Sequence, residues 1–213
     1  ETEDQAAKNL NQLLEDFKNE SNYEDLVYQL VNANGIQATG KDVKIVCLEW
    51  IAQICEKGSE GSKENKQRLV NTNVMEDIVF AMKNFDTSKV VQQKAARAVA
   101  NLVAGKKAAR AAMVKSGICG LLVRNLQSFK DDSSVVAATL AALKVFSFEP
   151  SAREAMVKSG ACASLVRILQ SFKDDPSVVG VALSVLRALS SEATAKKSLN
   201  SIMASKYVCD TMG

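Results

Sequence analysis

The residues that most often carry out catalysis are missing or scattered in this sequence. None of its 213 residues is histidine, so the commonest general base and the commonest zinc ligand are both absent. No GxxxxGK[ST] or GxGxxG phosphate-binding pattern occurs. Paired carboxylates do recur, Asp131 with Asp132 and Asp174 with Asp175, in short turns where helix capping explains them. The sequence predicts a protein that is not an enzyme and holds no cofactor or metal ion.

The thiols offer no redox or metal-binding pattern either. No CxxC pair occurs among the five cysteines, which are Cys47, Cys55, Cys119, Cys162 and Cys209. Their number is odd, and a chain of this length can build a core without disulfides. We expect buried free thiols in a reducing, cytoplasmic compartment, with the cytosolic face of an organelle as the other location considered.

Charge and hydropathy limit the class of partner. The net charge of +3 is too small to indicate nucleic acid, and no apolar run approaches the roughly 18 residues of a membrane-spanning helix. The basic stretch from Gly105 to Lys115 carries no interleaved aromatic residue, which favours a solvated helix face over contact with nucleic acid or anionic lipid. Because the sequence begins at Glu1, we expect a fragment or a processed product, with any membrane tether outside it.

An internal repeat is the strongest signal in the sequence. AMVKSG occurs at 112–117 and again at 155–160, an offset of 43 residues. The next stretch, 121–136, reappears at 164–179 with thirteen of sixteen positions identical. The segment after that, 139–149, matches 182–192 in its apolar pattern, and weaker copies of it stand at 48–56 and 96–104. The polar run Glu56–Gln67 is predicted to be an enlarged loop between these two weaker copies.

Apolar residues within one unit are spaced by three and four, which is the period of a helix, and no period-two strand pattern appears. Glycines at 117 and 160 suit a sharp reversal between helices. Asp175 before Pro176 is a natural helix start, and Pro150 opens another helix. One unit is therefore predicted to contain helices at about 106–116, 118–129 and 133–147.

Three helices in about 42 residues, with a third helix such as ARAVANLVA at Ala96–Ala104, resemble the armadillo repeat. The resemblance covers nearly the whole chain and is strongest over residues 86–192; two-helix HEAT repeats fit less well. It implies an all-α fold, a right-handed superhelical solenoid of about four to five three-helix repeats, the last truncated. In that interpretation 1–213 is a single domain with an irregular N-terminal capping unit at 1–57, repeats at 63–104, 105–148 and 149–192, and a truncated repeat from 193.

Armadillo proteins generally bind extended peptides in a groove lined by their third helices, so the resemblance implies a non-catalytic scaffold or adaptor for a protein partner. The candidate groove residues are Glu49, Gln53, Arg97, Asn101, Lys144 and Arg187. Arg97 and Asn101, one helical turn apart, are the strongest pair, and replacing both by alanine is predicted to abolish partner capture without changing melting. With Lys144 and Arg187, Arg97 would form a basic stripe suited to an acidic peptide; solvated helix surface explains the same charges equally well.

Other interpretations remain open at this point. A nuclear-import-type receptor is disfavoured because its W-x-x-x-N pairs are missing: the single tryptophan, Trp50, is one place out of register. Trp50 is expected to pack in the N-terminal unit, although an aromatic anchor for a partner is the alternative. An armadillo adaptor tethered to a membrane or organelle by an acyl anchor outside this sequence is the main rival, and an armadillo module that senses a small ligand is a remote one.

Overall fold

The computed structural model describes the backbone of residues 39–58 and 61–212, and the side chains of residues 44, 45, 47–58 and 61–202. This part of the chain contains helices and no strand. The two helices predicted within the first 33 residues lie outside it. By its contacts the chain divides into two compact units, Glu1–Val103 and Ala104–Gly213.

The 43-residue repeat of the sequence returns in the helix bounds of the second unit. Its seven described helices are α5 (Lys107–Lys115), α6 (Ile118–Ser128), α7 (Ser133–Phe146), α8 (Pro150–Lys158), α9 (Ala161–Ser171), α10 (Pro176–Leu189) and α11 (Ala193–Met212). Helices α8, α9 and α10 begin and end 43 residues after α5, α6 and α7. The predicted helices are confirmed to within one residue at each end.

Equivalent helices of the two copies lie against each other. Helix α5 contacts α8, α6 contacts α9, and α7 contacts α10. The buried side chains are the apolar residues spaced by three and four, such as Leu140, Leu143 and Phe146 on α7, each at most 1% exposed. The apolar face of one copy is therefore covered by the next copy, as expected for modules that cannot bury that face alone.

Local capping fixes where these helices begin and turn. The Asp132 and Asp175 side chains accept hydrogen bonds from backbone N–H groups in the first turns of α7 and α10, from Val135 at 3.2 Å and from Ser177 at 2.9 Å. Gly117 and Gly160 have φ of 87° and 86°, a region that costs residues with a side chain free energy. The glycine turn and the Asp-Pro helix start are confirmed.

Ion pairs also repeat at the offset of 43. The Arg110 guanidinium donates to Glu149, the residue before α8, at 3.0 Å, and Arg153 donates to Glu192, the residue before α11, at 2.8 Å. Because Arg110 is paired in this way and largely buried, it does not belong to a solvated basic face. The solvated face predicted for Gly105–Lys115 is therefore smaller than expected.

Helix α11 departs from the repeat. The first helices of the two preceding copies span nine residues each, whereas α11 spans twenty. The position equivalent to Gly117 and Gly160 is occupied by Met203. Without a residue suited to positive φ at that place, the helix continues where the earlier copies turn.

The first unit contains four described helices: α1 (Thr39–Ile54), α2 (Ser62–Val70), α3 (Val74–Asn84) and α4 (Lys89–Val103). Helix α4 contacts the other three. The prediction of one enlarged loop over Glu56–Gln67 is wrong for its second half, because α2 begins at Ser62. The sequence SKENKQRLV is mostly polar and has no apolar stripe from which a helix could be predicted. Contacts with α3 and α4 stabilise α2.

A buried lysine packs beneath two aromatic rings in this unit. The Lys44 ammonium lies 4.9 Å and 5.0 Å from the ring centres of Phe80 and Phe85, and the residue is 1% exposed. Burial lowers the pKa of Lys44 and raises the pKa of the nearby Asp77 carboxyl to about 6. The rings attract the cation through their π faces, which offsets part of its desolvation.

Two glycine substitutions test this account of the second unit. Gly180 lies inside α10, and no atom stands within 4 Å of a Cβ added there, so Gly180→Ala should stabilise the protein by about 1 kcal/mol through helix propensity. Gly160→Ala meets no clash but keeps a positive φ, and should cost about 1 kcal/mol. Thermal melting followed by circular dichroism should shift by about 2–4 °C in opposite directions; a stabilising Gly160→Ala would contradict the assigned turn.

Candidate protein-binding surface

Four of the predicted groove residues lie in the first unit, and all four have partners within that unit. The Glu49 carboxylate forms an ion pair with Lys94 and another with Arg97 at 3.4 Å, and Gln53 donates to it at 3.4 Å. Arg97 also lies 3.6 Å from a carboxylate oxygen of Glu56. These charges are therefore largely neutralised within the unit.

The electrostatics of Glu49 reflect this crowding. Burial by itself would raise the pKa of the Glu49 carboxyl, but the hydrogen bonds and positive charges of Lys94, Gln53 and Arg97 together hold the pKa below its ordinary value. Glu49 thus stays ionised as an internal counterion. A partner peptide would have to compete with Glu49 and Glu56 for Arg97.

Asn101 links two helices of the first unit. Its side-chain amide donates to the Ala52 carbonyl at 2.8 Å, and the Asn65 amide donates to the Ile54 carbonyl at 3.2 Å. Both acceptors belong to the last turn of α1, where carbonyl groups have no partner within the helix. Asn101 therefore joins α4 to the end of α1, although the sequence predicts it as a residue of the peptide-binding groove.

The remaining two groove candidates, Lys144 and Arg187, lie in the second unit on α7 and α10. Both side chains are exposed, at equivalent positions 43 residues apart on helices that contact each other. Among the residues that the structure describes, no carboxylate lies within 4 Å of either cation. These two positive charges are available to a ligand.

An exposed aromatic residue follows the end of α7 and was not predicted. Phe148, four residues after Lys144, is 70% exposed, whereas Phe146 is fully buried. The position equivalent to Phe148 in the next copy is Ser191, so the repeat itself does not require an apolar residue there. That mismatch between copies is the signal that could have identified it. Lys144, Phe148 and Arg187 define the surface that we call the α7–α10 surface.

Other candidates lie in the core. Trp50 is 4% exposed, so the expectation that it packs in the first unit is confirmed. The described cysteines are free and buried; burial raises the pKa of Cys47, Cys55 and Cys119 to about 12, and raises that of Cys162 as well. Thiols of this kind react slowly because the thiolate is the nucleophile.

The described residues form no group of three or more metal-ligating side chains. Within the described residues, no helix combines the length and the hydropathy that a membrane-spanning segment requires.

Comparison with known proteins does not assign this chain. No protein-family model matches the sequence, and no curated protein matches it significantly.

The structural role of Asn101 gives a stability prediction. Asn101→Ala removes the hydrogen bond to the Ala52 carbonyl and should lower the free energy of unfolding by about 1 kcal/mol. The measurement is urea denaturation followed by the fluorescence of Trp50, the single tryptophan, which lies in α1. As a control, Asn84→Ala removes a contact made within one exposed helix turn and should change stability by less than about 0.5 kcal/mol. Equal effects would contradict the role of Asn101 between α4 and α1.

Proposed function

We propose that this chain is a non-catalytic protein-binding scaffold of armadillo-type repeats, arranged as a right-handed superhelical solenoid. In this proposal it holds an extended acidic segment of a partner protein on the α7–α10 surface. The strongest support is the exposure of Lys144 and Arg187 at equivalent positions on two contacting helices, with no carboxylate of the described residues beside them. Two cations at equivalent positions of neighbouring helices suit two carboxylates spaced along an extended peptide.

The dimensions of the two helices suggest the spacing of that anion. Packed helices lie about 8–10 Å apart, and an extended chain rises about 3.3 Å per residue. Two carboxylates about three residues apart on the bound segment would therefore reach both cations. Charge pairs of this kind increase the rate of association and fix the register of the segment.

Phe148 would supply the apolar part of the contact. Covering an exposed phenylalanine side chain contributes about 1.5–3 kcal/mol, and aromatic residues are common among those that dominate binding energy. The segment we propose therefore carries an apolar residue close to the carboxylate that pairs with Lys144. Charge provides the register, and Phe148 provides much of the affinity.

The predicted groove residues of the first unit do not contribute to the proposed peptide surface. Arg97 and Asn101 were the strongest candidates from the sequence, yet Arg97 pairs with Glu49 and Glu56, and Asn101 bonds to Ala52. We therefore propose a structural role for this pair. Their joint replacement by alanine should therefore lower the melting temperature.

The residues available for chemistry support the proposal of a non-catalytic protein in a reducing compartment. The sequence contains no histidine. The described cysteine thiols are free and buried, and burial raises their pKa values. Neither kind of residue is available as an activated nucleophile or base. The chemistry that remains on the α7–α10 surface is recognition by charge and apolar contact.

A peptide-binding experiment tests the proposal. Extended peptides with two aspartates three residues apart and one phenylalanine, selected from a displayed library, should bind the chain with an affinity that falls as salt rises. Fluorescence anisotropy should show a loss of about 10-fold or more for Lys144→Glu and again for Arg187→Glu, since about 1.4 kcal/mol per lost pair is a factor of ten. Phe148→Ser, which installs the residue of the next copy, should also weaken binding.

A matched control separates this surface from net charge. Arg124 and Arg167 are exposed, 43 residues apart on α6 and α9, so Arg124→Glu with Arg167→Glu changes the net charge as much as Lys144→Glu with Arg187→Glu does. The control pair should retain most of the affinity. Equal losses in both pairs, or a library that yields no binder, would contradict the proposal.

A further inference from the structure

The second copy of the repeat exposes an apolar face that the first copy buries. Comparison of residues 43 apart shows six apolar positions that are buried in the first copy and partly or well exposed in the second. The pairs are Val123 and Val166, Leu126 and Leu169, Phe129 and Phe172, Val136 and Val179, Leu140 and Leu183, and Leu143 and Leu186. The largest change is from 1% exposure at Leu140 to 51% at Leu183.

The contacts of the helices explain this difference. Helices α6 and α7 are covered by α9 and α10, their own equivalents in the next copy. Helix α11 contacts α8 and α9, which corresponds to the contacts of α8 with α5 and α6. Among the described residues, no helices lie beside α9 and α10 in the way that those two lie beside α6 and α7. We call the apolar face that is left the α9–α10 end face.

The end face is equivalent to the face of α6 and α7 that α9 and α10 cover. Its six side chains have the same spacing as those that α6 and α7 bury, and the residue types are the same at every position. An apolar patch of this kind on a protein surface marks a site of interaction. Its occupant must present an apolar helical surface of similar extent.

Charges at the two ends of α10 indicate which occupant fits. Arg187 lies one turn after Leu183 and is exposed, while Asp174 and Asp175 stand just before the helix begins. One carboxylate oxygen of Asp175 caps α10, and the other is outside that cap. The end face thus has a positive side chain towards one end and two carboxylates at the other.

We propose that the occupant is a second copy of this chain, paired through the same end face about a two-fold axis. In an antiparallel pair of α10 helices with the axis near Val181, Leu183 lies opposite Val179 of the second copy. Arg187 then lies opposite Asp175 of the second copy, close to its Asp174. The two-fold axis repeats both contacts, as in the isologous interfaces of most homodimers. This pairing shares Arg187 with the proposed peptide surface, but its test requires no peptide.

The first experiment measures the mass of the 213-residue chain in solution. Sedimentation equilibrium between about 1 and about 200 μM should show the mass rising with concentration from 22.9 kDa towards twice that value. Leu183→Glu should abolish the rise, while circular dichroism remains unchanged because Leu183 is half exposed already. Phe148→Glu changes the other well-exposed large apolar side chain among the described residues of the second unit, and it should leave the rise intact. A monomer at every concentration, or equal loss in both variants, overturns the proposal.

The second experiment tests the antiparallel orientation. Arg187→Glu should weaken dimerisation at low salt, and adding Asp174→Lys to that variant should restore part of it, because the opposed charges are then exchanged. Oxidation should cross-link a variant with both Val179→Cys and Leu183→Cys into a covalent dimer much faster than Phe148→Cys, because residues 179 and 183 of the two copies lie opposite each other. Failure of the charge exchange or equal cross-linking overturns the two-fold pairing.

Discussion

The second unit depends on one repeated contact, the packing of each helix against its equivalent 43 residues later. A single three-helix copy has too little interior to cover its own apolar face. The burial of Leu140 beside α10 and the exposure of Leu183, its equivalent, show the same side chain with and without that neighbour. The ion pairs repeat at the same offset of 43 residues as the apolar contacts do: Arg110 pairs with Glu149, and Arg153 pairs with Glu192. Each copy therefore has a defined structure because a neighbouring copy covers it.

The predicted groove residues perform different tasks in the two units. On α4, Arg97 and Asn101 are engaged by carboxylates and by the end of α1, so their polar groups stabilise the fold. On α7 and α10, Lys144 and Arg187 extend from the helices without such partners among the described residues. The difference arises from the neighbours: Glu49 and Glu56 supply counterions for Arg97, whereas no carboxylate of the described residues lies within 4 Å of Lys144 or Arg187. The predicted groove residues can thus be structural in one unit and available for binding in the other.

The two surfaces proposed for the second unit differ in physical character. The α7–α10 surface combines two cations with one aromatic side chain, which suits a narrow, charged and extended ligand. The α9–α10 end face is broad and mainly apolar, which suits a packed helical surface. Arg187 borders both, because it lies one turn from Leu183 and at the position equivalent to Lys144. Pairing of two chains and binding of an acidic segment would therefore both affect the environment of this arginine.

Local signals in the sequence predict α5, α6 and α7 to within one residue at each end: apolar spacing, an Asp N-cap, and glycine at positive φ. The sequence also determined that no histidine-based chemistry is available. The tertiary structure alone decided that Phe148 is exposed while Phe146 is buried, and that Asn101 bonds to a helix 49 residues away in sequence. It also decided that the polar segment from Ser62 forms a helix. The reason is physical: spacing along one helix predicts its apolar face, whereas exposure and hydrogen-bond partners depend on which neighbouring helices cover each residue.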